Sequence, residues 1–446
     1  MLQRLSLLML LACLLAYRPA GAQEAPAWNV RPTYSYEKSV IAVVRFNANN
    51  TGLEMETLPR IIRNDLTLSG FFENVKDQML ANRQNMVDHN RKNIAFEAWA
   101  GMGVKHYLMG NVSEDATSYK VQVLVYDIDS KRLILSRDFV DRKERIRDLA
   151  HQISDAVILQ IKGIEGVCRT RLLFVTEQVP GVKEIATMDW DGFGARPITN
   201  LGKLATTPVW GANGTEIYFT SYHGNRANVY GMQLTPDAAL KLNPGQMWTI
   251  AAYGGTNHSP EWNSAARRLA LVLSKDGNSE IYTASRDGKS ATRVTTTKAT
   301  EGSPCWSPDG SKIAFTSNEA GGVHVFVMNA DGSGKRRLTT LGSWNDEVSW
   351  SPDGRRIAFV SRRAGANDIY ICDAEGDKAN LRRLTMNQGN NEAPAWAPNG
   401  THLAFSSNRS GQWQIWMMLD DGSNQLPLTS AGRNTSAAWG PFVAKN

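Results

Sequence analysis

The sequence predicts a mainly β protein: a six-bladed β-propeller with four-stranded blades and a composite closing blade, preceded by a small α/β domain. Three observations carry that prediction. The stretch Cys305-Trp306-Ser307-Pro308-Asp309-Gly310 returns as Trp350-Ser351-Pro352-Asp353-Gly354 and as Trp396-Ala397-Pro398-Asn399-Gly400, with looser copies at Trp210 and Trp262 and a truncated one at Trp439. Successive tryptophans lie 52, 44, 44, 46 and 43 residues apart, a period that belongs to propellers and arrays. The two ends of the array are complementary half-units, so the ring can close.

Taken in order, residues 1–22 read as an export signal. Arg4 precedes an apolar run from Leu5 to Ala16, and Ala20-Gly21-Ala22 offers small residues for cleavage; the run is too short to span a bilayer. The alternative is a lipoprotein signal ending at Cys13. Past the signal, no segment is long and apolar enough to be transmembrane. Losing Arg4 and Arg18 lowers the formal charge from +6 to +4. The remaining Lys and Arg are dispersed and export removes the chain from nucleic acid, so the basic pI is a weak clue to partners. Three cysteines are left, Cys168, Cys305 and Cys372, and they read as packed thiols because the number is odd and two lie inside blade strands. Residues 23–36 are polar, Pro-bearing and aperiodic, a flexible N-terminal peptide in which Trp28 and Tyr34 leave room for docking.

Residues 37–166 form the α/β domain. Val40–Phe46 is an apolar strand, Met55–Ser69 an amphipathic helix stopped by Gly70, and Phe96–Met102 a second helix. His106–Val112, Tyr119–Asp127 and Leu133–Phe139 are strands, and Arg145–Lys162 is a long helix with Ile146, Leu149, Ile153, Val157 and Ile161 on one face. Gly163–Thr170 links this domain to the propeller, residues 167–446.

Each propeller unit begins with the tryptophan strand, and Pro-Asp-Gly or Ala-Asn-Gly then reverses the chain into an apolar β-prone run such as Ile357–Val360. A further strand follows in six versions: Glu184–Met188, Asn228–Leu234, Glu280–Ala284, His324–Met328, Asp368–Cys372 and Gln414–Met418. A last strand is visible in five: Arg196–Thr199, Arg293–Thr296, Arg337–Thr340, Arg383–Thr385 and Leu426–Thr429. The chain enters at Arg171–Thr176, which matches a second strand, and leaves at Thr435–Trp439, which matches a first; together they complete the sixth blade and remove its open edges. The unit starting at Trp262 lacks the Pro-Asp-Gly turn and follows what reads as an insertion, Asp237–Gly255.

A propeller beside a second domain also occurs in serine peptidases, which need Gly-x-Ser-x-Gly on a strand–turn–helix. That pattern is absent, and none of the seven histidines has a partner at His-Glu-x-x-His spacing. Asp189-Trp190-Asp191-Gly192 resembles the start of a calcium loop but lacks the later oxygen ligands, so it reads as a turn. The repeat tryptophans read as blade packing, while Trp344 and Trp413, outside the register, are candidate exposed aromatics. Three and four residues before each repeat tryptophan the chain enters the innermost strand at one mouth of the channel. Those positions hold Thr206-Thr207, His258-Ser259, Gly302-Ser303, Asp346-Glu347, Glu392-Ala393 and Thr435-Ser436, with Glu301 adjacent. Polar residues near loops are ordinary, but six such sites converging on one rim make a recognition surface. A glycan-binding or hydrolytic propeller is the competing reading.

The Trp-Ser-Pro-Asp-Gly-x-x-Ile-Ala-Phe repeat resembles that of the TolB-type propeller family, and the order of signal, α/β domain and six blades is similar to that family from about Val40 to Trp439. The resemblance implies a non-catalytic, monomeric periplasmic protein of the Tol–Pal envelope system, without cofactor or metal and neither membrane-spanning nor nucleic-acid-binding. It implies that Thr206, His258, Ser259, Glu301, Ser303, Asp346, Glu347, Glu392 and Thr435 receive the lipoprotein Pal. It also implies that the N-terminal peptide, through Trp28, Val30 and Tyr34, engages TolA, linking the two membranes during constriction at cell division and maintaining outer-membrane integrity.

Overall fold

The computed structural model describes residues 36–48, 54–76, 79–80, 94–237, 241–363, 365–376 and 380–443. Both readings of the leader, and the peptide with Trp28, Val30 and Tyr34, lie outside those residues. The N-terminal sheet comprises β1 (Ser39–Val43), β2 (Asn47–Ala48), β3 (Phe72–Asn74), β4 (His106–Glu114), β5 (Ser118–Asp127) and β6 (Arg132–Arg142). Their order is β3-β1-β4-β5-β6, with β2 beside β4. β1 runs parallel to both neighbours, and β4 to β6 form an antiparallel meander. β1 is apolar from Val40 to Val43 because it is covered on both faces: Ile41 and Val43 face one core and Ala42 the other. Along β5, Val121, Val123 and Val125 face the two long helices. These helices, Glu54–Leu68 and Ile146–Lys162, bury Leu58, Ile61, Leu66, Leu149, Ile153 and Val157 against the sheet. The second ends on Gly163 at φ 68°, whose N–H donates to the Leu159 carbonyl at 2.9 Å, a left-handed stop that glycine adopts without steric cost.

Six four-stranded antiparallel sheets follow. Their first strands are Ala205–Trp210, Asn257–Asn263, Glu301–Trp306, Asn345–Trp350, Asn391–Trp396 and Arg433–Trp439. The last of these pairs with Arg171–Val179, which continues into Val182–Asp189 and Arg196–Pro197, so the sixth blade is composite. Trp439 seals it, its Nε1 donating to Thr170 Oγ1 at 2.8 Å. The repeated turn owes its residue types to hydrogen bonds. Ser307 Oγ donates to Asp309 Oδ1 at 2.6 Å, that oxygen also accepts the Ser311 N–H, and Gly310 takes φ 72°. Cys168, Cys305 and Cys372 are buried free thiols.

Two features depart from the sequence reading. The outermost strands are shorter than expected, ending at Pro197, Arg293, Arg337, Arg383 and Pro427. Beyond each end a threonine hydroxyl takes over from the backbone ladder: Thr199, Thr295, Thr339, Thr385 and Thr429 each accept the N–H of the adjacent strand, at 2.8, 2.8, 3.0, 3.0 and 2.9 Å. Asp237–Gly255 is not an insertion. Leu242–Ala251 is the outer strand of the first blade, paired with Asn228–Pro236. Its exposed positions, including Pro244 and Gly245, hid the strand pattern. Trp248 there lies over Gly231, where a Cβ would stand 2.4 Å from the ring.

The two parts meet through the turns at one end of the blades. Asp65 on the first helix accepts His151 Nδ1–H at 2.8 Å, Ser154 Oγ–H at 2.7 Å and Trp190 Nε1–H at 3.2 Å. Arg147 pairs with Asp191 at 2.6 Å. Asp189-Trp190-Asp191-Gly192 is thus a turn that also joins the domains. Tyr36 donates to Asp420 at 2.9 Å, His402 Nε2 meets the Ser69 carbonyl at 3.0 Å, and Asn399 donates to the Glu165 carbonyl at 3.0 Å.

Candidate functional site

In all six first strands the residue three before the tryptophan has positive φ: Thr207 48°, Ser259 51°, Ser303 42°, Glu347 54°, Ala393 51° and Ser436 54°. None is glycine. Each left-handed residue costs roughly 1–2 kcal/mol, so six copies require compensating contacts. The strand register slips at each one, for example between Thr206↔Thr220 and Val209↔Tyr218, which is a β-bulge. In four blades a proline follows (Pro208, Pro260, Pro304, Pro394) and leaves no N–H to satisfy on the channel side.

The bulges turn donors and acceptors toward neighbouring blades. The Ser259 N–H donates to Thr220 Oγ1 at 3.1 Å, Ser436 N–H to Ser406 Oγ at 2.8 Å, and Ala393 N–H to Glu347 Oε2 at 2.6 Å. Ser303 Oγ donates to Asp346 Oδ1 at 2.6 Å. These bonds tie the inner ring across blade boundaries. From the ring a cavity of about 550 Å³ extends to the repeat tryptophans, with Glu261 and Glu347 as its carboxylic lining residues. Burial pushes both carboxyls up to about 8, and for Glu347 the charges of Glu392 and Asp346 add to the shift, against the Ala393 N–H, which lowers it.

The positions one residue earlier stand outside that cavity, where the chain enters the strands. Thr206, His258, Asp346, Glu392 and Thr435 are half-buried, as are Ser259 and Ser303 on the ring. His258 Nδ1 meets Ser259 Oγ at 3.0 Å, and burial lowers its pKa. Glu392 accepts from Asn367 Nδ2 at 2.6 Å. Asp346, Glu347 and Glu392 do occupy one arc, on two adjacent blades. Glu301 departs from its expected place: it is 1% exposed, and its Oε1 accepts from Thr297 Oγ1 at 2.6 Å. It occupies the position that Asn257, Asn345, Asn391 and Asn434 fill elsewhere, all buried, where a polar side chain anchors the incoming loop. Trp344 and Trp413 are half-buried on loops at this same end, with the Arg362 guanidinium 4.8 Å from the Trp344 ring.

Every contact named above between the N-terminal domain and the blades lies at the opposite end of the strands. Among the described residues, the mouth ringed by Thr206, His258, Asp346, Glu392 and Thr435 is therefore left uncovered by that domain. The bulge ring went unrecognised in sequence, although the recurring Thr-Pro, Ser-Pro and Ala-Pro pairs are its trace. Glu261 carried no signal, because its equivalents are Val209, Cys305, Ser349, Ala395 and Ala438. Folding also gathers Asp65, His151 and Asp191, whose ligand-capable atoms lie within 4.8 Å of one another. Their helix–hairpin separation in sequence gave no motif, and their bonds to one another, to Trp190 and to Arg147 make them the domain joint.

The family model described as the TolB beta propeller domain matches residues 159–443, and that of the TolB amino-terminal domain matches residues 35–134. The chain is 27% identical over 241 residues to the Tol-Pal system protein TolB of Alcanivorax borkumensis, covering 53% of this chain and 52% of that one. It is 30% identical over 196 residues to the protein of the same name from Hahella chejuensis, covering 43% and 44%. These matches span about half the length of the curated relatives. Among solved structures, TolB from Acinetobacter baumannii superposes with a TM-score of 0.75 at 22% identity, covering 91% of this chain and 97% of that one, a likeness of fold.

Proposed function

The chain belongs to the TolB family, and we propose that it serves as a non-catalytic scaffold of the Tol–Pal system in the periplasm, receiving Pal at the uncovered propeller mouth. The observation that carries this reading is the mouth itself. Six strand entries converge there with polar side chains, two half-buried tryptophans stand on its loops, and the N-terminal domain attaches at the other end. Within it, the Asp346 and Glu392 carboxylates offer acceptors beside the recessed Glu347, and a basic surface on the partner would be drawn to that arc. The inward-facing ring bonds hold these groups in place before a partner arrives, which limits the ordering cost of binding. The N-terminal peptide, with Trp28, Val30 and Tyr34, is the segment proposed to reach TolA, so that one chain links a lipoprotein on one membrane to a protein anchored in the other during constriction. Its support is the family resemblance together with a sequence composition that builds no core.

One experiment with two arms tests both contacts. Surface plasmon resonance is run with the soluble domains of Pal and TolA at two salt concentrations. Glu392→Lys should weaken Pal binding more than tenfold and leave TolA binding unchanged; deletion of residues 23–34 should do the reverse. Exposed charges contribute only about 0–1 kcal/mol each, so a Glu392→Lys effect below about threefold at both salts, under half of the roughly 1.4 kcal/mol of a tenfold change, would remove the mouth from the Pal reading. Unaltered TolA affinity in the deletion variant would remove the peptide from the TolA reading.

A further inference from the structure

We propose that the groove between the outer edges of the first and second blades binds an uncharged saccharide chain, with one sugar ring stacked on Trp248. This site lies on the side wall of the propeller and is independent of the reading of the mouth. The first blade differs from the other five in its outermost strand. Leu242–Ala251 runs for ten residues, where the other outer strands have two or three. The extra length builds one wall of a groove whose other wall is the Ser285–Asp287 turn of the second blade, enclosing about 830 Å³. That volume falls in the range of small-ligand sites. The lining is polar for such a site. Trp248 is its one hydrophobic side chain, and around it stand amides, hydroxyls, a glycine and two charged residues of opposite sign, Arg286 and Asp287.

Trp248 is held as a platform. It stands opposite Gly231 on the neighbouring strand, where a Cβ would lie 2.4 Å from its ring, so the indole can lie down on the bare backbone. Its Nε1–H donates to the Arg286 carbonyl at 3.1 Å, and the Tyr218 ring meets it edge-on with centroids 6.3 Å apart. The indole is fixed but only half-buried, and offers apolar surface at little ordering cost. A sugar ring has the matching shape, with C–H bonds on its faces and hydroxyls around its rim. Partners for that rim are in place. Gln233 and Thr235 follow Gly231 at two-residue steps, on the same face of their strand, and Gln246 lines the groove from the next strand. Among the described residues, the exposed Thr235 and Gln246 side chains make no hydrogen bond. Gln233 donates through Nε2 to the Thr215 carbonyl at 2.7 Å, which leaves its Oε1 as an acceptor. The buried Glu216 carboxylate grips Arg286 through Nε and Nη2, while the arginine side chain stays 52% exposed. Charge narrows the class of ligand. Arg286 is paired with Glu216 and Asp287 with Lys289, so the groove shows no uncompensated charge to a phosphate, a nucleic acid or a charged peptide. An apolar peptide finds no aliphatic wall, and Pro244 and Gly245 interrupt the edge along which an extended chain would pair.

Isothermal titration of the protein with chitotetraose, an N-acetylated chain, and with maltotetraose, an unsubstituted glucose chain, tests the assignment. Saturable binding with a Kd of about 1 mM or tighter is expected for at least one of them. Saturation by chitotetraose alone identifies acetamido sugars as the ligand, and by maltotetraose alone plain glucans; either result, or both together, supports the site. Trp248→Ala should weaken binding at least tenfold. Gln246→Ala with Thr235→Ala removes two exposed side chains that bond to nothing in the fold. That double variant should weaken binding at least threefold and keep the parent's melting midpoint, so it decides the matter if the tryptophan variant melts early. Glu392→Lys, directed at the mouth, should bind the sugar as the parent does, which separates failure of this site from failure of the Pal reading. No saturation by either tetrasaccharide would overturn the proposal. So would parent-like affinity in a groove variant that keeps the parent's melting midpoint.

Discussion

At the scale of single residues, Glu347 combines a left-handed backbone, a bond from the Ala393 N–H and a carboxyl that burial raises from its ordinary 4.5 to about 8. Between those values the unfolded chain is ionised while the folded chain keeps its proton. The unfolded state then binds fewer protons, and stability falls as pH rises from about 4.5 through 8. Glu347→Gln retains a carbonyl for the Ala393 N–H and removes the titration. The variant should match the parent near pH 5 and exceed it at pH 8 by about 1–3 kcal/mol, measured by urea unfolding at both values. A difference independent of pH would show that Glu347 does not titrate in this window. The neighbouring Glu392, half-buried at the strand entry and outside the cavity, is the better surface probe of the mouth.

At the scale of elements, the outer strand of five blades is ended by a threonine that substitutes its hydroxyl for a backbone carbonyl. Thr385 does this for the Ile369 N–H at 3.0 Å and also donates to Asp368 Oδ1 at 2.9 Å. Asp368 in turn is paired with Arg383. Thr385→Val preserves shape but strands the buried Ile369 N–H and leaves Asp368 Oδ1 to the longer bond from Asn391 Nδ2 at 3.3 Å, and should cost about 1–3 kcal/mol. Thr385→Ser keeps the hydroxyl and should lose less than half as much. Equilibrium unfolding of the two variants decides the matter: a Thr385→Val loss no larger than that of Thr385→Ser would mean that the hydroxyl contributes no more than the methyl group. The same element logic explains why the Asp237–Gly255 stretch misled. A strand recognised by apolar alternation is invisible when most of its side chains face solvent, as those of Asn243–Gln246 do.

At the scale of the whole molecule, the ring is closed by Arg433–Trp439 against Arg171–Val179, more than 250 residues earlier in the chain. Ending the chain at Gly432 removes that strand, bares the edge of Arg171–Val179 and leaves the Trp439 site empty. Losing one large buried aromatic alone costs about 3–5 kcal/mol, so the truncated chain should melt far below the parent. A thermal midpoint equal to the full-length protein's would mean that the ring does not depend on this strand.

The sequence by itself determined the architecture, because repetition is a global signal carried in local letters. Tryptophan spacing counted the blades, Ser-x-Asp-Gly turns placed the reversals, and the mismatched ends implied composite closure. Glycine stops and apolar periodicity located the two long helices to within about a residue or two. It also marked the strand entries that surround the mouth, since these sit at a constant offset from each tryptophan. Only the tertiary structure decided which of those entries face outward. Glu301 is one residue from the rim in sequence, yet strand alternation and its bond to Thr297 turn it inside. Left-handed bulges, the burial-raised Glu347 carboxyl and the Asp65–His151–Trp190–Arg147–Asp191 joint arise from groups that become neighbours only when distant strands and helices pack. Such contacts depend on distances across the fold, and no local spacing encodes them.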